Sequence, residues 1–221
     1  MKDPRETIDF TFLKPNMTKT ELHHFVGKAL EENIKNIYIP LSYVKEIRRS
    51  IGPYINIGTT AGFPYGYIPL KQKLRGIKYA AKQGADWVDI CLDITRANNI
   101  DHLSYEIASL HESSKGHNIK LKLIIETPYL NNEQIYTIAR TADGFFGYIK
   151  TATGINNKVT LEHVKFLKQH LHHSKIKAAG GIKTLKQYND FLDAGADIIG
   201  SSNGFKILEE YENTINSTST K

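Results

Sequence analysis

Short apolar runs alternate along the chain with longer stretches whose apolar residues recur at helical spacing. Eight runs are read as strands, at residues 7–12, 36–40, 54–59, 87–92, 120–126, 144–151, 175–179 and 197–201. Several are continuously apolar, as expected of a parallel sheet covered on both faces. The intervening segments carry helix-start signals. Thr18 with Glu21, Asn131 with Gln134, and Thr184 with Gln187 each have capping-box spacing. A turn also recurs: Gly84-Ala85-Asp86, Ala142-Asp143-Gly144 and Gly195-Ala196-Asp197 each follow a helical stretch and precede a strand.

Eight strands alternating with helices in 221 residues predict a single α/β domain, a closed (β/α)8 TIM barrel spanning 1–221. An open doubly wound sheet is the competing architecture, but no glycine-rich dinucleotide fingerprint follows the first strand. The polar end of the chain, from about 213, reads as a disordered tail.

Composition narrows the function classes. A single cysteine, Cys91, leaves no internal disulfide framework and suits a reducing, cytoplasmic setting. The N-terminus lacks a signal-peptide pattern, and no apolar run approaches the length of a membrane span. The formal charge of +6 is dispersed among acidic residues, with no basic tail or recognition motif. It is therefore read as a solvated surface that helps steer anionic substrates, with no nucleic-acid or membrane partner.

In a barrel, chemistry gathers at the C-terminal ends of the strands. The informative residues are then charges inside apolar strands. Lys150 ends the sixth run and opens Thr151-Ala152-Thr153-Gly154; Lys177 lies within the seventh, and Asp89 within the fourth. Each would be costly to bury alone. Together they form a coherent set for amine nucleophilic chemistry, in which a second cation and desolvation expose the lone pair and a carboxylate moves protons. Gly180-Gly181 after the seventh strand and Ser201-Ser202-Asn203-Gly204 after the eighth lead into helices, where backbone N–H groups suit a phosphate. His170, His172 and His173 lack matching ligands and are read as helix-end residues, so no metal is expected. Two readings stay open for Gly62-Phe63-Pro64-Tyr65-Gly66, as mouth lining or simple turn. Two also stay open for Glu126, as a site residue or a loop anchor.

These motifs resemble those of the deoxyribose-phosphate aldolase family, in collinear order from about residue 8 to 205. The matching stretches include Asp9-Phe10-Thr11, Ser42-Tyr43-Val44, Gly62-Phe63-Pro64, Val88-Asp89, Ile124-Ile125-Glu126-Thr127, Lys150-Thr151 with Thr153-Gly154, Gly180-Gly181 and Gly200-Ser201-Ser202. The resemblance implies Lys150 as the Schiff-base lysine, Lys177 as the second lysine that tunes it, and Asp89 as the acid–base carboxylate. It implies Asp9, Thr11, Tyr38, Thr153, Gly180, Gly181, Ser201 and Ser202 around a small phosphorylated sugar. The implied reaction is reversible cleavage of 2-deoxy-D-ribose 5-phosphate to acetaldehyde and D-glyceraldehyde 3-phosphate, without cofactor or metal, in a homodimer or homotetramer. The chain departs from the family at Tyr38 and Pro40, where a cysteine and an asparagine are usual, and at Ala152, where a serine is usual. Its last tyrosine, Tyr211, is followed by a polar tail. Other Schiff-base barrel enzymes, transaldolase-like or dehydratase, and a non-catalytic phosphate-sugar binding barrel are the alternatives.

Overall fold

In a computed structural model of the chain, which describes residues 1–155 and 157–219, eight parallel strands close into one barrel with β1 paired to both β2 and β8. The strands are β1 (Ile8–Thr11), β2 (Asn36–Tyr38), β3 (Asn56–Ala61), β4 (Trp87–Cys91), β5 (Lys120–Ile124), β6 (Tyr148–Lys150), β7 (Lys175–Ala179) and β8 (Ile198–Ser201). The helices are α1 (Pro4–Thr7), α2 (Lys19–Glu31), α3 (Val44–Ile51), α4 (Leu70–Gln83), α5 (Ile100–Ser114), α6 (Asn132–Ala142), α7 (Leu161–His170), α8 (Leu185–Asp193) and α9 (Gly204–Ser219). The predicted barrel is thus the observed one. Among the described residues no helix is long and apolar enough to cross a membrane.

Capping follows the sequence at α2 and α6, where the Thr18–Glu21 and Asn131–Gln134 boxes are closed. At α8 only half the box forms. Thr184 accepts from Gln187 N, but Gln187 Oε1 accepts from Lys183 N instead. The recurring turn has a shared cause. Asp86 Oδ2 accepts from Ile57 N at 2.7 Å, and Asp197 Oδ2 accepts from Ile176 N at 2.8 Å. Asp143 accepts from the backbone N–H groups of His172, His173 and Ser174. Each aspartate therefore satisfies N–H groups at or leading into a neighbouring strand, groups that would otherwise be orphaned at the barrel's lower rim.

Several boundaries differ from the reading above: β2 ends at Tyr38, β3 runs Asn56–Ala61 and β5 ends at Ile124. Thr7 ends a one-turn helix rather than opening a strand. Residues 144–147 are not strand: the chain turns there, with Phe145 N donating to Ala142 O. The tail expected to be disordered from about 213 is instead helical to Ser219, and Thr220 and Lys221 lie outside the described residues. Thr214 and Ser217 bond their hydroxyls back to the Glu210 and Thr214 carbonyls, which lets a polar sequence continue the helix.

Candidate active site

Five charged side chains from five strands meet inside the barrel. Lys150 Nζ donates to Asp89 Oδ2 at 2.8 Å, and Lys177 Nζ donates to the same oxygen at 2.7 Å. Lys177 Nζ also lies 2.6 Å from Asp9 Oδ2, which accepts from Lys122 Nζ at 2.6 Å. The result is a line of alternating charge, Lys150–Asp89–Lys177–Asp9–Lys122. Register places Lys150 opposite Lys177 and Asp89 opposite Lys122, so neighbouring strands supply neighbouring charges. Asp9 and Asp89 are fully buried, and Lys177 and Lys122 are 1% and 2% exposed. Such groups persist in a dry interior only when paired in this way.

Their protonation follows from the pairing. Burial pushes both carboxyls upward, but the lysines outweigh it and hold Asp89 far below, and Asp9 below, the usual range. Burial pulls Lys177 down, yet Asp89 and Asp9 together leave it raised. For Lys122, burial and the positive charge of Lys177 prevail over Asp9, and its value falls to about 8.

Tyr38 packs against this line, with Lys177 Nζ 3.8 Å from its ring centroid. Gly58 on β3 makes the room: a Cβ there would come within 2.3 Å of Tyr38 Cζ. The hydroxyl is buried, and burial first, then the charges of Asp89 and Asp9, push it well above its ordinary pKa. Among the described residues Tyr38 Oη, Asp9 Oδ1 and Asp89 Oδ1 are buried without a hydrogen-bond partner.

Above the line the barrel opens into a cavity of about 360 Å³, lined by Thr11, Lys150, Thr153 and both glycine–serine turns. Of the three lysines in the line, Lys150 is the one that lines this cavity, and it is the most exposed of them at 7%. Gly181, in the left-handed region at φ 82°, turns the chain after β7. Ser201 Oγ donates to Ile182 O at 2.7 Å and accepts from Asn203 N at 3.0 Å, tying the two turns into one cradle. Ser202 is exposed at its edge, with Lys14 and Lys183 nearby on the wall. Asp9 and Tyr38, by contrast, are buried and do not line this cavity.

The Glu126 carboxylate accepts from Thr153 N, at 2.9 Å to Oε2, and so anchors the loop after Lys150. It also borders an adjoining apolar cavity of about 240 Å³ that shares Thr153 and Ile155 with the first. Phe63 and Pro64 line these two cavities, so the 62–66 loop is part of the mouth. Among the described residues no group of three or more His, Cys, Asp or Glu side chains is arranged to hold a metal. Sequence reasoning missed Lys122. Its signal was present, a charge within a strand, but Lys120-Leu121-Lys122-Leu123 alternates like a half-exposed edge. It also missed the buried Lys73–Glu106 pair, which joins α4 to α5 behind β4.

No protein-family model matches the chain. Individual proteins do. A deoxyribose-phosphate aldolase of Clostridium botulinum (strain Alaska E43 / Type E3) is 36% identical over 210 residues, 93% of this chain and 94% of that one. The solved structure of an aldolase designated QR15 superposes with a TM-score of 0.88 at 33% identity, covering 96% and 97% of the two chains. The tetrameric deoxyribose phosphate aldolase of Aeropyrum pernix, at 23% identity, shares the fold with a TM-score of 0.88 over 96% of this chain and 93% of that one. Near-complete coverage at this identity, on the barrel whose interior is described above, shows that the chain belongs to the deoxyribose-phosphate aldolase family.

Proposed function

We propose that the chain reversibly cleaves 2-deoxy-D-ribose 5-phosphate to acetaldehyde and D-glyceraldehyde 3-phosphate through an imine on Lys150. One observation carries the reading: Lys150 alone of the three array lysines reaches the cavity, and that cavity also holds the Gly180-Gly181 and Ser201-Ser202 turns. A phosphate seated on those turns meets backbone N–H groups, and the sugar's other end extends toward Lys150.

The chemistry follows from the groups present. Neutral Lys150 adds to the C1 aldehyde, and loss of water leaves a protonated imine. The imine draws in the electron pair of the C2–C3 bond as the C3 hydroxyl loses its proton. Glyceraldehyde 3-phosphate departs, the remaining enamine is protonated at C2, and hydrolysis frees acetaldehyde and Lys150. Asp89, bonded to Lys150, is the group placed to take and return protons around the nitrogen. Lys177 holds Asp89 ionised and in place. Asp9 and Tyr38 act through Lys177, Asp9 as its counter-ion and Tyr38 as an aromatic ring packed against it. The enzyme is expected to work as a homodimer or homotetramer, in line with the tetramer of the Aeropyrum pernix protein.

The test is turnover of purified protein with deoxyribose 5-phosphate in the presence of chelator, reading glyceraldehyde 3-phosphate through a coupled reductase. Stoichiometric acetaldehyde and glyceraldehyde 3-phosphate are expected. Absence of both at substrate saturation, with folded protein, overturns the proposal.

A further inference from the structure

Lys73 on α4 and Glu106 on α5 form a buried ion pair outside the barrel interior, and it takes no direct part in the chemistry at Lys150. Stability alone is a weak reason for such a pair. Desolvating two charges offsets most of their attraction, and apolar residues of the same size would fill the space as well. What apolar residues would not supply is polar contact with the backbone. Lys73 Nζ donates to Cys91 O at 3.0 Å, and Glu106 Oε2 accepts from Asp93 N at 3.4 Å. His102, partly exposed, stands beside the pair with its Nε2 3.6 Å from Glu106 Oε2.

Both backbone contacts fall where β4 becomes the wall of the mouth. Cys91 is the last residue of β4, two residues after Asp89. Asp93 caps the single turn Ile94–Arg96, its side chain accepting from Thr95 N at 3.2 Å. The 62–66 loop rests on this same backbone: a Cβ on Gly66 would come within 2.1 Å of Leu92 O and 3.1 Å of Cys91 O. Cys91, Leu92, Ile94 and Thr95, with Pro64 and Tyr65 of that loop, line the apolar cavity of about 240 Å³ that adjoins the sugar cavity.

We propose that Lys73 and Glu106 are positioning residues which, by holding the backbone at 91–93, shape this apolar cavity as the subsite for the two-carbon donor. The inference rests on the Schiff-base reading of Lys150. That reading seats the phosphate on the turns after β7 and β8 and the imine at the end of β6. The donor carbons then lie toward β4 and β5, the strands whose ends border the apolar cavity through Cys91 and Ile124. Acetaldehyde carries a methyl group and a carbonyl that is consumed by the imine, so an apolar wall suits what remains of it. Lys73 and Glu106 contact the backbone of that wall and act on the donor through it.

The experiment titrates acetaldehyde in borohydride trapping on Lys150 and, separately, glyceraldehyde 3-phosphate in the synthetic direction at saturating acetaldehyde. The double variant Lys73→Met with Glu106→Leu replaces both charges by apolar groups of similar size and should fold with a Tm near that of wild type. It should need roughly tenfold more acetaldehyde for half-maximal trapping, as expected of a misplaced wall. Its KM for glyceraldehyde 3-phosphate should be unchanged, because the phosphate cradle stands on other strands. A merely structural loss would move both values. Should the double variant fail to fold, Glu106→Gln keeps the shape but presents one acceptor atom where the carboxylate uses two, for Lys73 and for Asp93 N. It should shift the acetaldehyde dependence in the same direction and leave the other KM alone. An unchanged acetaldehyde dependence in the folded variant, or a rise shared equally by both substrates, overturns the inference. Failure of wild-type protein to trap acetaldehyde on Lys150 would instead defeat the aldolase reading itself.

Discussion

Replacing Asp89 with asparagine removes one negative charge from the middle of the buried line while preserving shape. Asp89 Oδ2 accepts from both Lys150 and Lys177, at 2.8 and 2.7 Å, with no solvent exposure. Charge-assisted bonds are worth about 1.5–3 kcal/mol each, and breaking a buried ion pair by removing one partner costs about 3–5 kcal/mol. Lys177 keeps Asp9 and Lys150 gains some solvent from the cavity, so the lower half of that range is expected at neutral pH. At about 2–4 °C per kcal/mol for a chain of this size, Tm should fall by roughly 6–15 °C. The pH dependence carries the sharper signature. Asp89 is held below its ordinary value of 3.8, so its stabilisation is complete above that pH and is lost as pH falls through the depressed value. Wild type and Asp89→Asn should therefore differ most near neutrality and converge in acid, where wild type loses what the variant never had. Urea unfolding followed by circular dichroism between pH 2 and 7 measures both curves. A constant offset across that range, or one under about 1 kcal/mol at neutral pH, would refute the account of Asp89 as a buried charge shared by two lysines.

Ser202→Glu, at the exposed rim of the phosphate cradle, should raise KM for deoxyribose 5-phosphate by about tenfold or more with little change in Tm; an unchanged KM would remove this turn from the site. Tyr38→Phe deletes a buried hydroxyl without a hydrogen-bond partner and should be neutral or stabilising, whereas Tyr38→Cys empties the space under Lys177 and should cost about 2–4 kcal/mol in urea unfolding. A collapse of turnover in both Tyr38→Phe and Tyr38→Cys would put the hydroxyl itself in the proton path. Lys177→Leu takes from Asp89 one of its two lysine partners and should still trap substrate on Lys150 but lower turnover by about tenfold or more; turnover at the wild-type rate would contradict it. Glu126→Ala releases the loop at Thr153 and should raise KM more than it lowers kcat, as steady-state kinetics would show.

The barrel was legible because its physics is repetitive: eight apolar runs, helix caps between them, and a turn whose aspartate recurs at 86, 143 and 197 for the same hydrogen-bonding reason. Lys150, Lys177 and Asp89 were legible because a charge in a covered strand has to be explained. Lys122 obeys the same rule but escaped it, because its strand begins at an exposed lysine and alternates, and only closure of the barrel turns that face inward. The absence of Asp9 and Tyr38 from the cavity wall was also hidden, since a strand's sequence does not say which of its inward side chains a neighbouring strand's residues cover. At the C-terminus, polar composition suggested disorder where side-chain bonds to the helix's own carbonyls sustain α9.

The central claim is that Lys150 is the nucleophile, and reductive trapping tests it most directly. Protein incubated with acetaldehyde or deoxyribose 5-phosphate and borohydride should gain a covalent adduct on the peptide carrying Lys150. Lys150→Ala should lose both the adduct and turnover. An adduct on Lys177 or Lys122, or full turnover in Lys150→Ala, would contradict the account.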